Sequence, residues 1–389
     1  MDLHPDALRL ANRMRDWRQR LHMIPEGGFE EVETARFVAE QLRGFGLDPV
    51  TGVAGTGIVV TIEGRGGPGP VIGLRAELDA LPMTEAGHAA HASRRAGWMH
   101  GCGHDGHMAM LLGTACALAE APGFAGTLRL IFQPAEEGLG GAKAMLADGL
   151  FTRFPCDEIY ALHNTEWPLG QVGVHHGAVA AAADRFEIVV HGSGGHAAAP
   201  HLACDPIPVA ARILLAIEAL PGRLTDCRDP AVVTVGAFHA GEAFNTIPAT
   251  ATLVGTVRTL SRATQDSIEA AARRIARAEA DAVGARVEIA WERPFAPTIN
   301  SAAQADTVIA VAREVVGEEN LLVDPPPELG SEDFCFMLEE RPGCYFLLGQ
   351  ADDAHTAVTH DVHYDFNDEA LVIGTSLWLR LVEHRLGGR

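Results

Sequence analysis

The sequence has 389 residues, of which 47% are hydrophobic and 21% are charged, and its formal net charge is −21 at pH 7. This is the composition of a globular protein long enough for two domains, and it excludes a disordered or fibrous chain. The negative charge argues against nucleic acid or an anionic membrane as the partner, and no apolar run reaches the roughly twenty residues of a membrane-spanning helix. The polar N-terminus and the scattered cysteines predict a cytoplasmic protein with reduced thiols.

Strands alternate with helices along the first part of the chain. Hydrophobic periodicity predicts helices over 6–22, 30–45 and 140–151, and strands over 55–64, 70–79, 127–133 and 158–164. A further helix follows residue 107, where Met108, Leu111 and Leu112 mark one apolar face. This alternation predicts an α/β domain with a mostly parallel central sheet.

From about residue 184 the predicted order becomes β-α-β-β-α-β, which is typical of a ferredoxin-like α+β fold. After Pro297 the α/β pattern resumes. The sequence therefore predicts a catalytic metal-binding domain of residues 1–183 and 297–389, interrupted by an inserted lid or dimerisation domain of residues 184–296. An exposed edge strand in the insert would allow sheet-to-sheet pairing, so we expect a homodimer or an oligomer built from dimers.

The stretch MHGCGHDGHMAMLLG, residues 99–113, places Cys102 and His104 among glycines before an apolar helix. Its glycines match a dinucleotide-binding fingerprint, but no buried strand precedes them and no acidic residue follows at the required spacing. A zinc finger is excluded because no second cysteine–histidine pair lies nearby. Taken alone, the stretch fits either a metal site or a buried free cysteine beside a helix start at which Asp105 supplies a carboxylate.

Other metal-ligating side chains follow neighbouring strands. Asp79, the pair Glu136 and Glu137, and His163 lie at predicted strand ends, and His360 precedes the last helix. Each of them alone also fits a core or loop role. In an open α/β sheet, however, ligands bind at the carboxyl ends of the strands, where the cysteine–histidine stretch also lies. Imidazoles, a thiolate and carboxylates suit zinc, nickel, cobalt or manganese, and their number exceeds the three protein ligands of a mononuclear catalytic zinc. Two bridged ions would use them all.

Seven segments together closely resemble the M20 family of metallopeptidases, in family order and over essentially the whole chain. The resemblance is to the amidohydrolase branch, which includes hippurate hydrolases, N-acyl-amino-acid deacylases and auxin-conjugate hydrolases. The segments are MHGCGHDGHMAMLLG, QPAEEGLGGAKAM, ALHN, GSGGHAAAPHLACDPI, AFNTIPATATLVGTVRT, GSEDF and HDVHYDFND.

The resemblance implies an enzyme that hydrolyses the amide bond of a small N-acyl amino acid, such as a hippurate-, N-acetyl- or indole-acetyl-amino-acid-like substrate. It implies two divalent metal ions per subunit, without fixing whether they are zinc, manganese, nickel or cobalt. Glu136 matches the general base that activates a metal-bridging water, and Asp79 matches the acid that orients a ligand. The positions that match the family's metal ligands are Cys102, His104, Glu137, His163 and His360.

In the inserted domain, His196 matches a histidine that family dimers offer to the partner subunit's site, where it steadies the oxyanion. Asn245 and Arg258 match substrate-contacting positions, and an arginine suits the free carboxylate of an acyl amino acid. His107 and His363 match no ligand position, which favours supporting or packing roles for both.

Two other functions stay open at this point. One is a thiol hydrolase in which Cys102 is the nucleophile and His104 or His163 its base. The other is a catalytically silent binding protein on the same fold. The sequence departs from the family pattern at Val362, Glu77 and Gly101, but none of these departures removes a ligand or the base.

Overall fold

The computed structural model describes residues 1–87 and 89–387. The chain divides into two compact units, the first of Met1–Val179, Ile299–Pro326 and Asp333–Arg389, the second of Ala180–Thr298 and Pro327–Glu332. The catalytic and dimerisation roles assigned to these parts of the chain stay predictions.

The helices are α1 (Pro5–His22), α2 (Val32–Gly44), α3 (His104–Glu120), α4 (Gly141–Ala147), α5 (Leu150–Arg153), α6 (Pro206–Glu218), α7 (Pro221–Leu224), α8 (Arg262–Asp281), α9 (Ala302–Val316), α10 (Cys335–Glu340) and α11 (Asp368–Leu386). The strands are β1 (Val50–Val53), β2 (Gly57–Glu63), β3 (Val71–Glu77), β4 (Thr127–Gln133), β5 (Glu158–Pro168), β6 (Val172–Val174), β7 (Ala178–Ala180), β8 (Ala182–His191), β9 (Gly195–His196), β10 (Ala231–Ala240), β11 (Thr246–Ile247), β12 (Thr250–Thr259), β13 (Arg286–Phe295), β14 (Thr298–Ile299), β15 (Leu321–Val323) and β16 (Gly343–Ala351). Short 3-10 helices cover Pro200–Leu202 and Glu318–Asn320.

The first unit contains a sheet with the strand order β1-β2-β4-β3-β5-β16-β6-β15. The central strands β4, β3, β5 and β16 run parallel to one another, and antiparallel pairs occur between β1, β2 and β4 and between β16 and β6. The predicted α/β fold with a mostly parallel central sheet is therefore confirmed.

Helix α3 is the most deeply buried helix beside this sheet. Almost all of its residues are buried, on every side, and it packs against α1 and α11. Its sequence is apolar all round, as expected for a helix enclosed by other elements. The prediction of one continuous helix over 140–151 is wrong. The segment forms two helices, α4 and α5, because Gly149, with φ +82°, takes a left-handed conformation between them.

The second unit contains an antiparallel sheet with the order β10-β12-β8-β13. Helices α6 and α8 pack on one face, over buried side chains such as Phe186, Ile213, Leu253 and Ile268. Burial alternates residue by residue along β12, as a sheet covered on one face requires. The predicted ferredoxin-like insert is confirmed.

The sheet of the first unit determines where the candidate site forms. Strands β3 and β4 are parallel neighbours whose last residues, Glu77 and Gln133, are paired in register. The segments that follow these strands therefore leave the sheet at the same edge. They carry Asp79 and the pair Glu136 and Glu137.

Candidate metal centre

Cys102 and His104 lie on either side of Gly103, the residue directly before α3. Gly103 has φ +93°, a left-handed conformation, and forms the N-cap of the helix. A Cβ atom on Gly103 would collide with Oδ1 of Asn164, so only glycine lets this loop pass so close to β5. The loop places Sγ of Cys102 3.5 Å from Nε2 of His163.

Glu137 and His360 also lie close to Cys102. Oε1 of Glu137 lies 3.4 Å from Nε2 of His360. His360 has φ +67°, and its backbone N–H donates a hydrogen bond of 2.7 Å to the carbonyl oxygen of Gly101. This hydrogen bond ties the segment before α11 to the cysteine–histidine loop.

The side chains singled out from the sequence form overlapping groups of three, and within each group the potential ligand atoms lie within 4.8 Å of one another. The groups are Cys102, His104 and His163; Cys102, Glu137 and His360; and His104, Glu136 and Glu137. The structure thus brings together all five predicted ligands and the predicted base, whereas their roles stay predictions.

The imidazoles of His104 and His163 are each held through Nδ1. His104 donates from Nδ1 to the carbonyl oxygen of Asp79 at 2.9 Å, and His163 donates from Nδ1 to the carbonyl oxygen of Asn164 at 2.7 Å. A neutral ring that donates from Nδ1 keeps the lone pair of Nε2 for a cation. Nε2 of His104 is buried and has no hydrogen-bond partner within residues 1–87 and 89–387.

Asp79 contacts both sides of the cluster. Its carboxylate Oδ1 lies 3.4 Å from Nδ1 of His104, and its Oδ2 accepts a hydrogen bond of 2.9 Å from the backbone N–H of Glu137. The buried carboxylate of Asp79 therefore constrains both the imidazole of His104 and the backbone of Glu137.

The electrostatics of the cluster favour positive charge. Burial lowers the pKa of His104, but its hydrogen bond to Asp79 and the charges of Glu77, Asp79 and Glu137 raise that pKa to about 10. Burial raises the pKa of Glu137, but the ion pair with His360 and the charge of His104 outweigh it and lower that pKa. The same surplus of carboxylates that attracts protons to the imidazoles would attract divalent cations.

The thiol of Cys102 lies in surroundings that oppose its ionisation. Burial, and then the charges of Glu137 and Glu136, raise its pKa well above the usual range. Burial also lowers the pKa of His163 to about 3, so this imidazole is neutral at physiological pH. A neutral imidazole is the form that binds a metal, and a bound cation would stabilise the thiolate.

These residues fit a pair of divalent ions. Nε2 of His104 is buried and lacks a hydrogen-bond partner in the part of the chain that the structure describes, and the buried Oε1 of Glu137 has only the ion-pair contact of 3.4 Å with His360. Because such an atom costs about 1–3 kcal/mol when it has no partner, a bound cation would relieve the cost. The mixed nitrogen, sulfur and oxygen donors suit zinc, manganese, cobalt or nickel.

Sequence reasoning did not assign roles to Glu77 and Asn164, which hold the ring of His107. Nδ1 of His107 lies 2.7 Å from Oε2 of Glu77, and its Nε2 lies 2.8 Å from Oδ1 of Asn164. Both ring nitrogens are thus occupied, as expected for a histidine that matches no ligand position. The one sequence signal for these supporting residues is their place beside Asp79 and His163.

His196 and Asn245 lie together in the second unit. Strands β9 and β11 form a two-stranded ribbon in which His196 is paired with Thr246, and the backbone N–H of Ala197 donates to the carbonyl oxygen of Asn245 at 3.0 Å. Both His196 and Asn245 are exposed.

Arg258 lies on β12, on the face of the sheet opposite α6 and α8, and is half-buried. Its guanidinium donates hydrogen bonds to the hydroxyl of Thr256 and to the carbonyl oxygen of Val257. Within the described residues it forms no ion pair with a carboxylate. Burial lowers its pKa.

Comparison with known proteins places this arrangement in a family. The model of peptidase family M20/M25/M40 matches residues 73–384. The chain is 38% identical to a hippurate hydrolase of Campylobacter jejuni over 98% of both chains, and 38% identical to IAA-amino acid hydrolase ILR1-like 2 of Arabidopsis thaliana over 93% of this chain and 83% of the relative. It is also similar to the structure of a dinuclear metal-binding M20 peptidase of Bacillus subtilis, with a TM-score of 0.84 and 30% identity over 98% of this chain and 100% of that one.

The fold and the homologues together define a metal-dependent hydrolase of amide bonds. The chain belongs to peptidase family M20/M25/M40. The described part of the chain has no helix of the length and hydropathy needed to cross a membrane.

Proposed function

We propose that this protein hydrolyses the amide bond of N-acyl amino acids to a carboxylic acid and a free amino acid. The observation that carries the proposal is the cluster in which Glu136 adjoins His104 and Glu137, and in which Cys102 belongs to both of the groups that contain His163 and His360. The similarity to a hippurate hydrolase and to an IAA-amino acid hydrolase supports an acylated amino acid as the substrate.

Two divalent ions would polarise the substrate carbonyl and lower the pKa of water when bound. The residues that would hold them are Cys102, His104, Glu137, His163 and His360. Asp79 would keep the imidazole of His104 and the backbone of Glu137 in place through the contacts described above.

Glu136 would act as the general base and then as the general acid. Its side chain is 7% exposed, and its Oε1 accepts a hydrogen bond of 3.4 Å from the backbone N–H of Asp333. It would take a proton from the attacking water and pass it to the amide nitrogen, because this nitrogen does not leave as an anion.

In the second unit, Arg258 would bind the free carboxylate of the substrate, because its guanidinium forms no ion pair with a carboxylate among the described residues. Asn245 would contact the substrate as well. We propose that the protein forms a homodimer or a dimer-based oligomer in which His196 steadies the oxyanion in the partner subunit's site. All seven cysteines are free, which supports a reducing compartment, the cytoplasm.

A thiol hydrolase built on Cys102 is disfavoured by the environment of its thiol. Nucleophilic cysteines have lowered pKa values, whereas burial and two carboxylates raise the pKa of Cys102. A catalytically silent binding protein is disfavoured because Glu136 is retained within reach of the candidate metal ligands.

The decisive variant is Glu136→Gln, with Glu166→Gln at an exposed glutamate of β5 as its matched control. Benzoyl, acetyl and indole-acetyl amino acids are assayed with zinc, manganese, cobalt and nickel, and bound metal is measured by elemental analysis. We expect Glu136→Gln to lose turnover by at least about a thousandfold while it keeps two metal equivalents. Turnover near that of Glu166→Gln would contradict the proposal, and a trapped acyl-enzyme on Cys102 would favour the thiol mechanism.

A further inference from the structure

The turn that follows β4 contains a backbone conformation that its sequence does not favour. Ala135 directly precedes Glu136 and Glu137, is completely buried, and has φ +54°. An L-residue with a Cβ atom rarely adopts this left-handed conformation. Something outside the turn must therefore hold Ala135 in place.

Glu31 makes that contact. Its Oε1 accepts a hydrogen bond of 2.8 Å from the backbone N–H of Ala135, and its Oε2 accepts one of 2.5 Å from the hydroxyl of Thr56. Glu31 is fully buried. Although it occupies the N-cap position of α2, its side chain makes no capping hydrogen bond to that helix. The carboxylate therefore binds the turn and Thr56, the residue directly before β2, rather than its own helix.

A second residue of the same segment touches the same turn. A Cβ atom built on Gly28 would lie 2.8 Å from Cβ and 2.9 Å from Cα of Ala135. The segment of residues 28–31 therefore packs directly against the residue with the unfavourable conformation, and only a glycine fits at position 28 without displacing it.

The two glutamates of the turn are each held by a different segment. The backbone N–H of Glu137 donates to Oδ2 of Asp79, and Oε1 of Glu136 accepts from the backbone N–H of Asp333. Neither contact acts on Ala135. Glu31 is the side chain that hydrogen-bonds Ala135 itself, and the carbonyl oxygen of Ala135 accepts a second hydrogen bond from the backbone N–H of Gly141.

We propose that Glu31 is a positioning residue, which keeps Ala135 in its left-handed conformation and so directs Glu136 and Glu137 into the cluster. The inference rests on the proposed function, because the two glutamates are taken as base and ligand. Glu31 belongs to none of the groups of candidate metal ligands, so its effect would pass through the turn.

The first test compares Glu31→Ala with Glu31→Gln, and uses Glu30→Ala, a neighbouring exposed glutamate, as the matched control. We expect Glu31→Ala to lower kcat by about 10- to 100-fold with little change in KM, because misplaced reacting groups lose rate rather than substrate binding. Metal retention during dialysis against a chelator should weaken by about tenfold. Glu31→Gln should stay within about threefold of the wild type in both readouts, because its amide oxygen still accepts the Ala135 hydrogen bond.

The second test asks whether the effect passes through Ala135. Glycine adopts positive φ without a steric cost, so the double variant of Glu31→Ala and Ala135→Gly should recover at least about fivefold of the lost kcat. Gly28→Ala is an independent perturbation, because its added Cβ atom would displace Ala135 without changing Glu31. It should also lower kcat and metal retention relative to Glu30→Ala, and it keeps the test informative if Glu31→Ala does not fold.

The outcomes separate the positioning role from the proposed function. If Glu136→Gln is inactive while Glu31→Ala and Gly28→Ala match Glu30→Ala in kcat and metal retention, the positioning role is overturned and the proposed function stands. A loss in Glu31→Ala that Ala135→Gly does not reduce also overturns it. If Glu136→Gln retains wild-type turnover, the proposed function itself fails, whatever the Glu31 variants do.

Discussion

Replacing His22 tests a buried ion pair that lies behind the cysteine–histidine loop. Nδ1 of His22 lies 2.8 Å from Oδ2 of Asp105, and its Nε2 lies 3.6 Å from Oε1 of Glu85. Burial lowers the pKa of His22, but the charge and hydrogen bond of Asp105, together with the nearby carboxylate of Glu85, raise it to about 9. Because Asp105 follows His104 in the chain, the pair holds the first turn of α3.

The size and sign of the effect follow from this pKa. His22 is fully buried, and a rise from 6.5 to about 9 corresponds to about 3 kcal/mol of folding free energy. The folded-state pKa is higher than that of the unfolded chain. The stabilisation is therefore complete below about pH 6.5 and is lost as the pH rises through about 9.

The assay is urea unfolding of the wild type, of His22→Gln and of His201→Gln, an exposed control, between about pH 6 and pH 9.5. The wild type and the control should lose about 3 kcal/mol more unfolding free energy over this range than His22→Gln does. If the pH dependence of His22→Gln equals that of the wild type, His22 is not the protonated partner of Asp105 in the folded protein.

Three further changes test the site. Gly103→Ala should lower the unfolding free energy by at least about 2 kcal/mol, because the new Cβ atom collides with Asn164. Gly46→Ala, at a similar φ but in open space, should lower it less, and equal losses of the two variants in thermal unfolding would contradict this. Arg258→Ala should raise KM for N-acyl amino acids by about 10- to 100-fold and leave KM for the matching carboxamides unchanged, since a carboxylate contact is lost. Dialysis against a chelator should abolish turnover and lower the melting temperature, and added divalent ions should restore both; full activity in verified metal-free protein would refute the metal requirement.

Most of the fold could be predicted from local patterns in the sequence. The alternation of strands with helices predicted the parallel sheet, and the order of elements after residue 184 predicted the ferredoxin-like insert. These predictions succeed because each element has one face, or all of its surface, turned to a core, which imposes a period on its sequence. The break between α4 and α5 was missed, because Gly149 fits a helix until the chain direction around it is known.

The sequence predicted which side chains form the candidate site, but not the contacts that hold them in place. Residue types that bind cations indicated Cys102 and His104 before a helix and Glu137 after a strand, and the resemblance to a family predicted which of the two adjacent glutamates is a ligand and which is the base. Glu31 offered no such pattern, because it reads as an ordinary first-turn acid of a helix. Its contact with Ala135 joins positions 104 residues apart in the chain. Periodicity, residue chemistry and spacing are properties of the chain itself, whereas such a contact exists only after helices and sheet have packed, and only the tertiary structure could decide it.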